Sequence, residues 1–153
     1  MPETLPRFAS LAFDDIPRPD HADVAVVPLP PRATTDPAEW ARVIFDRGSI
    51  PVWVKALFVA RQALVPVLGI PQGERGVFGV RKVVGEEALI AADDVHLDWR
   101  AGVGVDAAAG LVRLTTAVRL HGRRGRLYFA PVRLLHPPIV RAMLTRAAHR
   151  LTP

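Results

Sequence analysis

With 153 residues, half of them hydrophobic and 23% charged, the chain is sized for one well-buried domain, and its composition excludes wholesale disorder. The absence of cysteine excludes disulfides and thiolate chemistry. A net charge of +5 raises a nucleic-acid reading, yet only Lys55 and Lys82 among the 20 basic residues are lysines, and the arginines are scattered apart from Arg123-Arg124-Gly125-Arg126. A phosphate-tracking surface is normally a stripe with interleaved aromatics, so nucleic acid is disfavoured as a partner.

Eight of the fifteen prolines lie within the first 37 residues. Residues 1–20 therefore read as an irregular proline-rich arm, ill suited to helix or central strand, ahead of a single domain over 21–153. The opening Met1-Pro2-Glu3-Thr4-Leu5-Pro6 lacks the basic-then-apolar order of a signal peptide, and a cytoplasmic location is expected. His21–Leu29 alternates weakly, as a first strand would. Asp36 as N-cap, Pro37 at the first helical position and Glu39 behind it open a helix with Trp40, Val43 and Ile44 on one face, stopped by Gly48. A second helix, Ile50–Val65, carries Trp53, Val54, Leu57, Phe58, Leu64 and Val65 almost all round before Pro66 and Gly69, so something has to cover it. Lys55, Arg61, Gln62 and Pro66 interrupt the run Ile50–Ile70, and no membrane span is expected.

From Val77, after a turn at Gly73–Gly76, the hydrophobic period changes to two. Strands are expected at Val77–Val84, Glu87–Ala92, Val95–Asp106, Leu111–His121 and Arg126–Leu135, with turns at Gly85-Glu86, Asp93-Asp94, Ala107–Gly110 and Gly122–Gly125. Gly102 and Gly104 within a strand point to a bulge or bend. A last helix, opened by His136-Pro137-Pro138, runs to about Leu151 with Ile139, Val140, Met143, Leu144, Ala147 and Leu151 on one face. The fold class is α+β: an antiparallel sheet wrapped on a long C-terminal helix, with two helices after the first strand.

Keeping apolar side chains together fixes a register, because a one-residue slip would invert every side chain. With Ala107–Gly110 as a four-residue loop, Asp106 opposes Leu111, Leu97 faces Leu120, Trp99 faces Val118, Ala101 faces Thr116 and Val103 faces Leu114. The next hairpin would set Leu120 by Leu127, Val118 by Phe129, Thr116 by Pro131 and Leu114 by Arg133. Rows Leu97–Leu120–Leu127 and Trp99–Val118–Phe129 then form the core face. The opposite face carries His96–His121–Arg126 and Asp98–Arg119–Tyr128.

Two readings of that opposite face stand side by side: acid–base equipment built on Asp98, Arg119 and Tyr128, or a solvated sheet face held by charge pairs. His96, Asp98 and His121 would make a two-His, one-carboxylate set, but sheet-surface histidine pairs are common, and no metal is assigned. On the core face Thr116 and Arg133 are the anomalies, since an unpaired buried guanidinium is costly. Either Arg133 reaches the rim, or it faces a cavity and holds an anionic or carbonyl group. Trp53, Phe58, Trp99 and Phe129 suit core packing and equally an aromatic-lined cleft. His136 reads as a capping residue at the helix start or as a group at the mouth of the cleft. No nucleotide loop or nucleophile motif is present, and no cofactor is expected.

Asp93-Asp94-Val95-His96-Leu97-Asp98-Trp99-Arg100, Leu114-Thr115-Thr116-Ala117-Val118, Gly125-Arg126-Leu127-Tyr128, and His136 followed by Ile139-Val140-Arg141-Ala142-Met143-Leu144 carry a resemblance. Over about Ala22 to Leu151 the chain resembles a bacterial domain-of-unknown-function family of the DUF2867 type. The resemblance implies no assigned chemistry; members fused behind NAD(P)-binding domains imply a dehydrogenase-like partner. The order of elements also looks like the START and polyketide-cyclase helix grip, although that fold usually has six strands where five follow the paired helices here. That likeness implies an apolar ligand between sheet and last helix.

The leading expectation is thus a small-molecule binding domain whose apolar ligand, acidic or carbonyl-bearing, touches Trp53, Phe58, Trp99, Thr116, Phe129 and Arg133, with or without cyclase- or isomerase-like activity. The alternative is a non-catalytic interaction module that docks a homodimer partner or a dehydrogenase-like domain through the apolar helix 50–66.

Overall fold

The computed structural model describes residues 9–64 and 79–153, and of Phe58 and residues 61–64 the backbone alone. The Gly73–Gly76 turn, Val77, Pro66 and Gly69 lie outside the described residues. The elements are α1 (Leu11–Asp15), β1 (His21–Pro28), α2 (Pro37–Phe45), α3 (Val52–Leu64), β2 (Val80–Val84), β3 (Glu87–Asp93), β4 (Leu97–Asp106), β5 (Leu111–Leu120) and α4 (Gly122–Leu151). The strands form one antiparallel sheet in the order β1-β5-β4-β3-β2. This is the expected α+β class, a five-stranded antiparallel sheet with a long C-terminal helix.

The β4–β5 hairpin has the expected register: Leu97 opposes Leu120, Trp99 opposes Val118, Ala101 opposes Thr116 and Asp106 opposes Leu111. The core face of β4 and β5 is also the expected one. Ala101, Val103 and Val105 of β4 and Val112 and Leu114 of β5 are buried there against Val140, Met143, Leu144 and Ala147 of α4, and against Trp40, Ala41 and Ile44 of α2. In α2 the expected cap forms, with Asp36 Oδ1 accepting from the Ala38 amide at 2.9 Å.

The expectation of a strand at Arg126–Leu135 is overturned: these residues belong to α4, which begins at Gly122 and not at His136. Two causes are visible. The free edge of β5 is taken along its length by β1, from His21 opposite Val118 to Pro28 opposite Leu111, so no place remains for a further strand. Pro131 has no amide to give to a ladder, which makes it a poor central-strand residue. The glycines read as a hairpin turn serve a strand-to-helix turn instead. Gly122 has φ +67°, and a Cβ at Gly125 would overlap the His96 carbonyl oxygen. The proposed rows through Leu127, Phe129, Pro131 and Arg133 therefore do not exist.

Within residues 1–20 there is also more order than the proline count suggests. Residues 9–16 contain no proline, Ser10 caps the short α1, and Ala12 of that helix and Ile16 just after it are buried with Ala117 on the outer face of the sheet. The Ser10 hydroxyl and the Leu11 amide both donate to the buried Glu87 carboxylate, and Arg100 joins Asp15 (2.8 Å) to Asp93 (2.5 Å). Gly102 is explained here without a bulge, since β4 pairs continuously. A Cβ at that position would collide with the Glu87 carboxylate and the Ser10 hydroxyl.

Candidate functional site

Successive strand residues alternate in direction, so His21, Asp23, Ala25 and Val27 share the core face of β1. Ala25 and Val27 pack into the core, whereas His21 and Asp23 sit where α4 crosses the strand. There α4 supplies His136. Asp23 Oδ2 takes both imidazoles, His136 Nδ1 at 2.7 Å and His21 Nε2 at 3.1 Å. The two rings meet edge to face with centroids 6.0 Å apart, and the buried Phe129, one helical stretch earlier on α4, backs His21 at 5.2 Å.

Two polar atoms at this junction stand buried without a hydrogen-bond partner: Asp23 Oδ1 and Thr116 Oγ1. Thr116 lies directly across the sheet from Asp23 and on the same face. Buried oxygens normally find partners, so these two are open to a further hydrogen bond. Burial acts to raise the Asp23 pKa, but the hydrogen bond and charge of His136, followed by those of His21, outweigh it and hold the carboxyl below its ordinary 3.8. The group is therefore an ionised carboxylate bound to two imidazoles. Such a set can orient a hydrogen-bonded ligand, pass a proton or ligate a cation.

A cleft of about 170 Å³ opens beside it, lined by Asp23, Ala25, Pro137, Val140 and Arg141 among others. On the other flank of α4, an open groove of about 900 Å³ runs between Val52, Trp53 and Ala56 of α3 and Pro138, Arg141 and Ala142. Arg141 lines both.

Of the residues singled out in the sequence, the structure brings together Thr116, Phe129 and His136 around Asp23 and His21. Trp99 stays in the core, edge to face with Phe45 at 5.7 Å. Trp53 is 46% exposed in the outer groove, and the Phe58 side chain lies outside the described residues. Arg133, expected to point inward from a strand, is exposed on α4, because a helix turns that position away from the sheet. Tyr128 is likewise a helical residue and not the end of a cross-strand row.

Asp98 and Arg119 do pair across the outer face, with Arg119 Nη2 at 2.6 Å and Nε at 3.0 Å from one oxygen, while His121 Nε2 approaches the other at 3.1 Å. His96 is not with them: it is buried, and its Nε2 has no partner. Among the described residues the group with three ligand-type atoms within reach of one ion is His21, Asp23 and His136. His21 and Asp23 were missed. The available signal was an ionisable pair two residues apart on a strand whose same face continues as Ala25 and Val27.

No curated protein and no solved structure matches the chain. A family model described as "Protein of unknown function (DUF2867)" matches residues 16–143, so that its span takes in β1, the sheet and α4 as far as Met143, and with them His21, Asp23, Thr116 and His136. The chain belongs to that family.

Proposed function

We propose that this protein is a small-molecule binding domain of helix-grip type, in the manner of START and polyketide-cyclase proteins, with the polar end of its ligand held at the crossing of β1 and α4. The observation that carries this reading is the pair of orphaned buried oxygens, Asp23 Oδ1 and Thr116 Oγ1, beside two imidazoles that share one carboxylate oxygen. A ligand hydroxyl or protonated acid would satisfy the oxygens. The cleft of about 170 Å³ is smaller than the roughly 300–1,000 Å³ of a pocket for a drug-sized molecule, so it takes one end of a ligand. The apolar remainder fits the groove over Trp53 and Ala142, with Arg141 between the two clefts as partner for a carboxylate or carbonyl. An imidazole held by a carboxylate beside a ligand carbonyl also supports proton transfer of the cyclase or isomerase kind.

The reading is tested by native mass spectrometry of the protein as purified from its host and after incubation with a library of apolar acids and ketones. A bound compound on the wild type that is lost from Thr116→Val and Arg141→Ala, both folded by circular dichroism, supports it. Retention of the compound by both variants overturns it.

A second reading rests on a separate observation. Val52 (77% exposed), Trp53 (46%) and Val59 (71%) leave α3 with an apolar outer face, which suits a non-catalytic module that docks a partner. Binding of a partner domain abolished by Trp53→Ser, with the ligand result negative, would favour it.

A further inference from the structure

We propose that His21, Asp23 and His136 form a binding site for one divalent transition-metal ion of the zinc, cobalt or iron(II) kind. The donor set is two imidazole nitrogens and one carboxylate, the combination that such ions take in sites with an open position. One nitrogen of each ring and a carboxylate oxygen lie within 4.8 Å of one another, with two of the separations at 2.7 and 3.1 Å. Donors at about 2.0–2.2 Å around a tetrahedral ion stand roughly 3.3–3.6 Å apart, so the two contacts to the carboxylate have to open by less than about 1 Å.

The scaffold holds these donors in place. His21 and Asp23 come from adjacent same-face positions of a strand, and His136 comes from the middle of a helix docked on it, with Phe129 against the His21 ring. The independent observation at this junction is Thr116, fully buried across from Asp23, whose hydroxyl oxygen has no partner, together with the likewise unpartnered Asp23 Oδ1. A metal and its bound water would satisfy both: the second carboxylate oxygen could turn to the ion, and the threonine hydroxyl could bond the water. The outer network shows the contrast. There the Asp98 carboxylate is already taken by the Arg119 guanidinium, whose fixed positive charge opposes a cation.

The inference rests on the proposed reading of this junction as the polar end of a ligand site, the open metal position being where a ligand carbonyl or carboxylate docks. Its test contains no organic ligand, so the two ideas fail separately. Tag-free protein, stripped with a chelator, is titrated with Co2+ by visible absorption and with Zn2+ by calorimetry. The expected result is one ion per chain, with the d–d bands of a low-coordinate cobalt site and displacement of Co2+ by Zn2+. His136→Ala and Asp23→Ala should weaken binding by more than about 100-fold, the upper end of what losing even an outer partner of a metal site costs. His121→Ala should leave it unchanged. Should the alanine variants not fold, His21→Gln, which keeps a polar side chain, serves in their place. No uptake by the wild type, or equal loss in His121→Ala, overturns the site. Metal uptake combined with no organic ligand in any screen keeps the site and removes the small-molecule reading.

Discussion

Asp23 and Asp98 sit on the two faces of one sheet, each within hydrogen-bond distance of a histidine, yet their surroundings differ. Asp98 faces outward, both of its oxygens are used by Arg119 and His121, and the guanidinium is half in water. Asp23 faces inward under α4, with one oxygen shared by two imidazoles and the other bonded to nothing. An exposed ion pair exchanges water for a partner at little net change in free energy, so nothing about it calls for a third component. A carboxylate oxygen that is itself buried and has no partner, as Asp23 Oδ1 is, has lost its water without replacement. The same residue types thus make a surface staple in one place and a candidate site in the other, and the number and kind of partners tell them apart.

The contrast depends first on α4 being docked over β1. Leu144 is fully buried in the centre of the α4 stripe, and Arg146 is exposed two residues on. Leu144→Asp should cost more than about 4 kcal/mol and unfold the domain, because it places an unpaired carboxylate among Val103, Leu114 and Trp40. Arg146→Asp should stay within about 0.5 kcal/mol of wild type. Equal melting temperatures for the two would mean that α4 does not roof the Asp23 cluster.

A direct comparison comes next. Asp23→Ala leaves two half-buried imidazoles without their acceptor and should cost about 1–3 kcal/mol in urea denaturation at pH 7. Asp98→Ala removes an outer-face pair and should cost at most about 1 kcal/mol. A reversed order would undo the distinction drawn between the two faces.

Acid sharpens the comparison. For Asp23, burial works upward, but His136 and His21 hold the carboxyl below 3.8. For Asp98, burial again works upward and is outweighed by Arg119, then His121. A carboxyl whose folded pKa lies below its unfolded one stabilises the protein fully above the unfolded value, and that stability is lost as pH falls through the folded value. The wild type should therefore lose stability as pH drops from about 4 downward. The gap between wild type and Asp23→Asn should close over the same window. A gap that stays constant down to pH 2 in denaturant titrations would show that Asp23 does not titrate as described.

The smallest effect concerns Arg133. Exposed on α4, it should tolerate Arg133→Leu within about 0.5 kcal/mol, and the variant should bind any discovered ligand as the parent does. A clear loss of binding would return it to the site and place the ligand on the outer side of α4.

The β4–β5 hairpin was legible from the residues because its information is local. Alternation and a four-residue loop leave one register that buries Trp99, Ala101, Val103, Leu114 and Val118 together. The α2 cap at Asp36-Pro37 and the apolar stripe from Ile139 to Leu151 were legible for the same reason, each lying within a few turns of chain. Residues 126–135 were not. Their apolar positions suit either period, and the decision between strand and helix fell to β1, a distant segment that fills the edge of β5. The candidate site depends on the same long-range event. In the sequence His136 stands as an isolated histidine, but its partner is 113 residues away, and nothing in the chain between them says that Asp23 will face it. Side-chain periodicity writes a residue's face into its neighbours; which two faces meet is settled by the packing of the whole sheet against α4.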